Sequence, residues 1–227
     1  MAECLYCKKS GWLLQVDING FCPGCLANYN YHVMPKIKQF QKLVSVVSKS
    51  QNHKIILSNI VSALEICSEL SSIENDGFPV METSVPEWVR MLKERFDECI
   101  IEVEQIAIED ARNKAMLAGT DATKIRGYSL SIKRLSDFSR EYPSVESLKS
   151  AIVRLSSEQT ALKFELTYRK AEVEEAKGKT TRAIEILIEA IMGLRHDSTP
   201  DDRQSQMFMK ASTKIRDLGG NPPEWLC

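Results

Sequence analysis

The chain has 227 residues, 43% of them hydrophobic and 27% charged, with a formal net charge of −1. That is enough for one large or two smaller domains with a core of their own, so folding need not rest on a metal throughout. No run of eighteen apolar residues occurs, and MAECLYCKK carries no apolar signal core; a transmembrane helix and secretion are therefore not expected, and the expected location is the cytoplasm.

The first chemical signal lies at 4–25. Cys4 and Cys7 form one C-x-x-C pair and Cys22 and Cys25 another. Seven cysteines, an odd number in a chain with no secretory signal, argue against a disulfide framework. Four soft thiolates at this spacing instead satisfy a tetrahedral zinc ion. Between the pairs, Trp12, Leu13, Leu14, Val16 and Ile18 suit β-strands, and Asn19-Gly20 is a hairpin turn signal. Gly24 allows a close turn around a sulfur, and a helix is expected from Leu26. Knuckle, hairpin and second pair opening a helix resemble the treble-clef and zinc-ribbon group of small zinc fingers, over about residues 3–32. The resemblance implies one structural Zn2+ held by Cys4, Cys7, Cys22 and Cys25.

Rival readings of the pairs fit less well. A rubredoxin-type iron centre usually has Gly after the second cysteine of each pair, where this chain has Lys8 and Leu26. A thioredoxin-like redox pair needs a βαβ setting. A catalytic zinc keeps one position open, and four thiolates close it. His32 is read as an ordinary histidine for the same reason. Cys67 and Cys99 fall on apolar helical faces and read as packing, and Cys227 is terminal.

Charge is uneven. Residues 1–60 carry seven Lys against Glu3 and Asp17, a net of +5, whereas residues 61–110 carry a net of −10. Such alternation serves partner recognition or is simply solvated helix surface. Tyr6, Trp12, Phe21, Tyr29 and Tyr31 interleave with Lys8, Lys9, Lys36 and Lys38. They make either a stacking, basic surface for nucleic acid or a cover for the metal site; covering is the favoured reading, because a tiny domain needs bulky core groups.

The rest reads as helix. Ile37, Phe40, Val44 and Val47 recur at helical spacing after Pro35; SKSQNH interrupts; Ile56, Ile60, Ala63, Cys67 and Leu70 form the next face. Residues 75–84, with Asn75-Asp76-Gly77 and Phe78-Pro79, read as a linker. Ser84, Pro86 and Glu87 have capping-box spacing. Val89, Leu92, Phe96, Cys99, Val103 and Ile106 follow heptad steps, widened by Ile100, Ile101, Ala107 and Ile108. This predicts the central helix of a bundle or, less favoured, a homodimer seam. Gly119-Thr120-Asp121 stops that helix and caps the next, with Ile125, Tyr128, Ile132, Leu135 and Phe138 as its stripe. Pro143 ends that helix. Ser144 caps one bearing Val145, Leu148, Ile152, Leu155, Leu162 and Leu166, with Gln159 as a polar register point.

In residues 164–195, Ala171, Gly178, Ala183, Leu187 and Ala190 resemble one tetratricopeptide-type (TPR-like) helical hairpin, small residues letting two helices approach closely. Thr167, Lys170, Glu174 and Arg195 depart from the family's aromatic, Leu and closing Pro positions. Ser198-Thr199-Pro200 is expected to break the chain before a last helix at 201–218, with Met207, Ala211, Ile215 and Leu218 inward and Gly219-Gly220 ending it. Trp225 lies in a tail.

The expected fold is mainly α: a four-cysteine zinc finger of β-hairpin plus helix at 1–34, a helical connector at 35–74, a helical bundle or short repeat body at 84–218 and a tail at 219–227. The sequence holds no phosphate-cradling glycine loop, no H-E-x-x-H and no G-x-S-x-G; its histidines are His32, His53 and His196. These features favour a non-catalytic adaptor or regulatory protein that binds another protein or a second copy, without a membrane. The alternative is a nucleic-acid-binding regulator using Lys8, Lys9, Lys36 and Lys38.

Overall fold

The computed structural model describes residues 2–75, 80–195 and 202–223. Asp76 to Pro79, His196, Ser198-Thr199-Pro200, Trp225 and Cys227 lie outside the described residues. The fold is mainly α behind a small N-terminal hairpin. The chain divides into compact units at 1–102 and 103–227.

In the first unit, strands β1 (Ala2–Glu3) and β2 (Ser10–Gly11) pair antiparallel, Ala2 opposite Gly11 and Glu3 opposite Ser10. Helix α1 (Pro23–Asn28) follows, with Pro23 in its first turn where a missing N–H costs nothing. A π-helical turn at Tyr29–Val33 leads into α2 (Met34–Lys49). The link at 50–52 turns the chain into α3 (His53–Asn75), which packs on α2 as a helical hairpin. Asn52 accepts from the backbone N–H groups of Lys54 and Ile55 and so caps α3.

Helix α3 is long and apolar enough, by length and composition alone, to cross a bilayer. Its buried groups, however, run Ile56, Leu57, Ile60, Ala63, Ile66, Cys67 and Leu70, while Lys54, Ser58, Glu65, Ser68 and Glu69 are exposed. The buried groups share one face; the opposite face is mostly polar, with Ile55 and Val61 also exposed on it.

Helix α4 (Val85–Leu117) begins in the first unit and ends in the second. Its start differs from the capping box expected of Ser84 and Glu87. Both Glu87 oxygens bond Arg90, at 2.6 and 3.1 Å, rather than reaching back to the Ser84 N–H, and the next N–H, that of Val85, donates to the Glu74 carboxylate at the end of α3, at 2.9 Å. A guanidinium fork outcompetes a single backbone N–H for the carboxylate. Phe40 of α2 meets Trp88 of α4 edge to face, centroids 5.2 Å apart. Along α4, Leu92, Cys99, Ile100, Val103, Ala107, Ile108 and Ala111 are buried, whereas Ile101 and Ile106 are exposed. The buried seam thus departs from the expected heptad line by drifting around the helix, as a straight 3.6-residue period requires.

The second unit is built on α6 (Glu146–Ala176), with α5 (Asp121–Glu141) against it and α7 (Thr180–Arg195) and α8 (Asp202–Asp217) completing the layer. Thr120 caps α5, its hydroxyl accepting from the Thr123 N–H. Ser144 does not cap α6; the N-cap is Val145, with no side-chain bond. Gly127 lets α5 approach the end of α4 closely, for a Cβ there would stand 2.9 Å from Lys114 Cβ. Gln159 of α6 donates to the Ile125 carbonyl and to Ser129 Oγ, fastening α6 to α5 in one register. Ala171, Ala183, Leu187 and Ala190 are buried where α6 and α7 pack. Phe164 and Tyr168 supply the bulk that Thr167 and Lys170 do not. Gly178 turns the chain at φ 74°. Met207, Ala211 and Ile215 of α8 join the same core, and Lys210 sits 4.2 Å above the Tyr168 ring.

Candidate metal centre

The four cysteines of the two C-x-x-C pairs converge. Their sulfurs all lie within 4.8 Å of one another, with Cys7 Sγ and Cys22 Sγ 3.8 Å apart. Thiolates about 2.3 Å from a tetrahedral ion stand about 3.8 Å from one another, whereas a disulfide needs about 2.05 Å. The spacing therefore suits four ligands around one ion. Cys4, Cys22 and Cys25 are buried and Cys7 is half-buried.

Backbone turns aim the sulfurs. Cys4 N–H donates to the Lys9 carbonyl and Lys8 N–H to the Cys4 carbonyl, closing the first knuckle. Lys8 sits at φ 59°, the left-handed conformation glycine usually fills there. The absence of Gly after Cys7 thus does not exclude a knuckle. The second pair is different: Cys22 caps α1 and Cys25 and Leu26 lie within it, so this half is a helix start rather than a second knuckle. Asp17 fixes the chain before it, accepting from the N–H groups of Asn19 at 3.0 Å and Phe21 at 2.7 Å. Gly20, at φ 78°, leaves room for Leu5, whose Cδ1 would lie 2.6 Å from an added Cβ.

Crowding splits the thiols. Burial acts to raise Cys4, but N–H groups of Cys22, Cys7 and Tyr6 and the Cys7 thiol outweigh it and bring Cys4 down to about 6. Burial first, then bonds to Cys22, Cys7 and Cys4, pushes Cys25 up to about 12. A divalent cation is the partner that lets all four ionise together.

The strand expectation is corrected. Residues 12–18 are not strands; the strands are Ala2–Glu3 and Ser10–Gly11, which bracket the first knuckle. Trp12, Leu13 and Ile18 have relative exposures of 91%, 96% and 101%. Backbone bonds from N–H groups of 2–11 run within the knuckle and, from the Leu5 N–H, to the Gly20 carbonyl, and no strand among the described residues pairs with 12–18. Asn19-Gly20 does form a turn, closed by Gly20 N–H on the Asp17 carbonyl and Asp17 N–H on the Phe21 carbonyl.

The basic and aromatic groups separate. Phe21 stacks on Tyr29, centroids 5.5 Å apart, and Tyr6 packs on the same cysteine cluster. Trp12 and Tyr31 are exposed, the latter edge-on to His32. Lys8, Lys9 and Lys38 are exposed, but Lys36 is tied to Glu69 of α3. Elsewhere, two adjoining open clefts of about 590 and 500 Å³ share Asp121, Leu166 and Lys170 in the second unit.

Fold and site define a mainly α protein whose N-terminal cysteine cluster is fit to hold a metal ion. No protein-family model, curated protein or solved structure matches the chain.

Proposed function

We propose that this is a zinc-stapled helical adaptor that acts by binding another protein, without catalysis. Zinc is the ion that four thiolates close most naturally, and a closed set leaves no position for substrate or water at the finger. The observation that carries the binding role is the loop at 12–18: Trp12, Leu13 and Ile18 stand almost wholly in water on a segment anchored at both ends by cysteine ligands. Large apolar groups held out this way are interface anchors. Exposed Lys8 and Lys9 beside them suit an apolar pocket rimmed by acidic groups. The hairpin of α6 and α7 provides a TPR-like helical surface, and its clefts are a second place for a partner to lie. Nucleic acid is the weaker reading, because Phe21 and Tyr29 stack on each other and Lys36 is engaged by Glu69.

The test compares wild type with a variant carrying Trp12→Ala, Leu13→Ala and Ile18→Ala. A partner identified by affinity capture is then purified, and its Kd measured by calorimetry with both. The adaptor reading predicts at least a tenfold loss with unchanged thermal stability. Sedimentation of both proteins reports whether the partner is a second copy. If binding survives the triple change, or if a nucleic-acid gel shift appears that Lys8→Glu and Lys9→Glu abolish, the adaptor reading falls.

A further inference from the structure

A second cluster of ligating side chains lies in the first unit, far in sequence from the finger. His53 opens α3, while Cys99 and Glu102 sit three residues apart on α4 and so share a face. The ligating atoms of all three lie within 4.8 Å of one another. His53 Nε2 and Glu102 Oε2 are 3.0 Å apart, and the Cys99 thiol faces the His53 carbonyl at 3.9 Å. Cys99 is wholly buried and the His53 side chain is 16% exposed, while the Glu102 side chain is 43% exposed, so the cluster opens to solvent on its carboxylate side.

We propose that His53, Cys99 and Glu102 form a second zinc site, with three protein ligands and one open position. One sulfur, one imidazole nitrogen and one carboxylate oxygen make a recognised donor set for Zn2+, at about 2.3, 2.0–2.1 and 2.0–2.2 Å. Around a tetrahedral ion, such nitrogen and oxygen ligands are about 3.3 Å apart. The present 3.0 Å pair therefore needs only a small opening, with a turn of the thiol toward it. Binding replaces the hydrogen shared by His53 and Glu102: the imidazole carries its proton on Nδ1, the Cys99 thiol releases one proton to water, and water fills the fourth position. Arg95 already holds the other Glu102 oxygen at 2.9 Å, which leaves Oε2 aimed at the cluster. Its charge opposes a nearby cation, and the cluster offers one sulfur where the finger offers four. The site is accordingly weaker than the four-thiolate finger, and a chelator empties it first.

Titration of the full chain with zinc, and separately with cobalt, tests this by metal analysis and absorbance. Wild type is expected to take two equivalents, and Cys99→Ala and His53→Gln one each. The second cobalt equivalent should add thiolate charge-transfer absorbance roughly a quarter of that from the first, one sulfur against four, and this increment should vanish in Cys99→Ala. Saturation of wild type at one equivalent overturns the proposal, as does retention of the second equivalent in either folded variant. Cys22→Ser, which removes only the finger's ion, keeps the two sites distinguishable.

Discussion

Replacing Cys22 by Ser removes one of the four sulfurs of the site proposed to hold the first thirty or so residues in place. The finger's apolar core is small: among the described residues and apart from cysteines, Phe21 is its one buried side chain, with Tyr6, Leu14, Val16, Leu26 and Tyr29 only partly covered and Ile73 of α3 packed against them. Burying one Phe contributes about 1.5–3 kcal/mol. A structural zinc bound by a peptide finger contributes about 10–16 kcal/mol at neutral pH. The metal term exceeds the packing term several-fold, so the segment before α2 should lose its order once the ion goes. Helices α2 to α8 should not, for α2 and α3 bury Ile37, Phe40, Val47, Ile56, Leu57 and Ile60, and the second unit has its own core around Phe164, Leu187 and Ile191. Hydrogen exchange read by mass spectrometry is the assay, with far-ultraviolet dichroism alongside. Amides of residues 2–22 should lose protection in Cys22→Ser, while dichroism falls little, because the finger's own helix, α1, is six residues long. Loss of protection throughout both units would show instead that the metal nucleates the whole fold. Unchanged protection in 2–22 would refute the metal's role in holding that segment.

Two further outcomes follow from charged groups at helix ends and packing faces. Glu74→Ala leaves the Val85 N–H without its carboxylate and should cost about 1–2 kcal/mol in urea unfolding, as loss of a charge-assisted cap does; no change would mean that water replaces it fully. Glu158 is held below the usual carboxylate range by Arg112 first, against burial, with Tyr128 O–H also donating to it. Its folded pKa is depressed, so its contribution is present above the unfolded value and disappears as pH falls through the folded one. The stability gap between wild type and Glu158→Gln should therefore be widest near pH 7 and close below about pH 4; a gap that widens in acid would contradict the assignment.

Much of the fold was legible from local pattern. Apolar spacing placed the buried faces of α2, α3 and α8, Thr120 announced the cap of α5, and Gly178 and Gly219 marked helix ends at φ 74° and 79°. The two C-x-x-C pairs located the sulfurs because ligand spacing is itself local. What failed depended on partners distant in the chain. Trp12, Leu13 and Ile18 have strand-forming side chains, yet β-propensity describes a half-buried pleated surface, and here no strand lies beside them. Glu74 caps a helix eleven residues away, past the turn signal that hid it. Cys99 read as a packing residue because His53 is 46 positions earlier, and only the fold brings them together. Gly127 carried no signal of its own in the sequence, because the close approach of Lys114 that requires it comes from another helix.

In the proposed adaptor, zinc bound by Cys4, Cys7, Cys22 and Cys25 builds the binding module. Metal analysis of wild type and Cys22→Ser, both purified without added metal, tests it most directly. Wild type is expected to carry zinc, and Cys22→Ser one equivalent less. Iron in that position, or equal zinc in the two proteins, would contradict it.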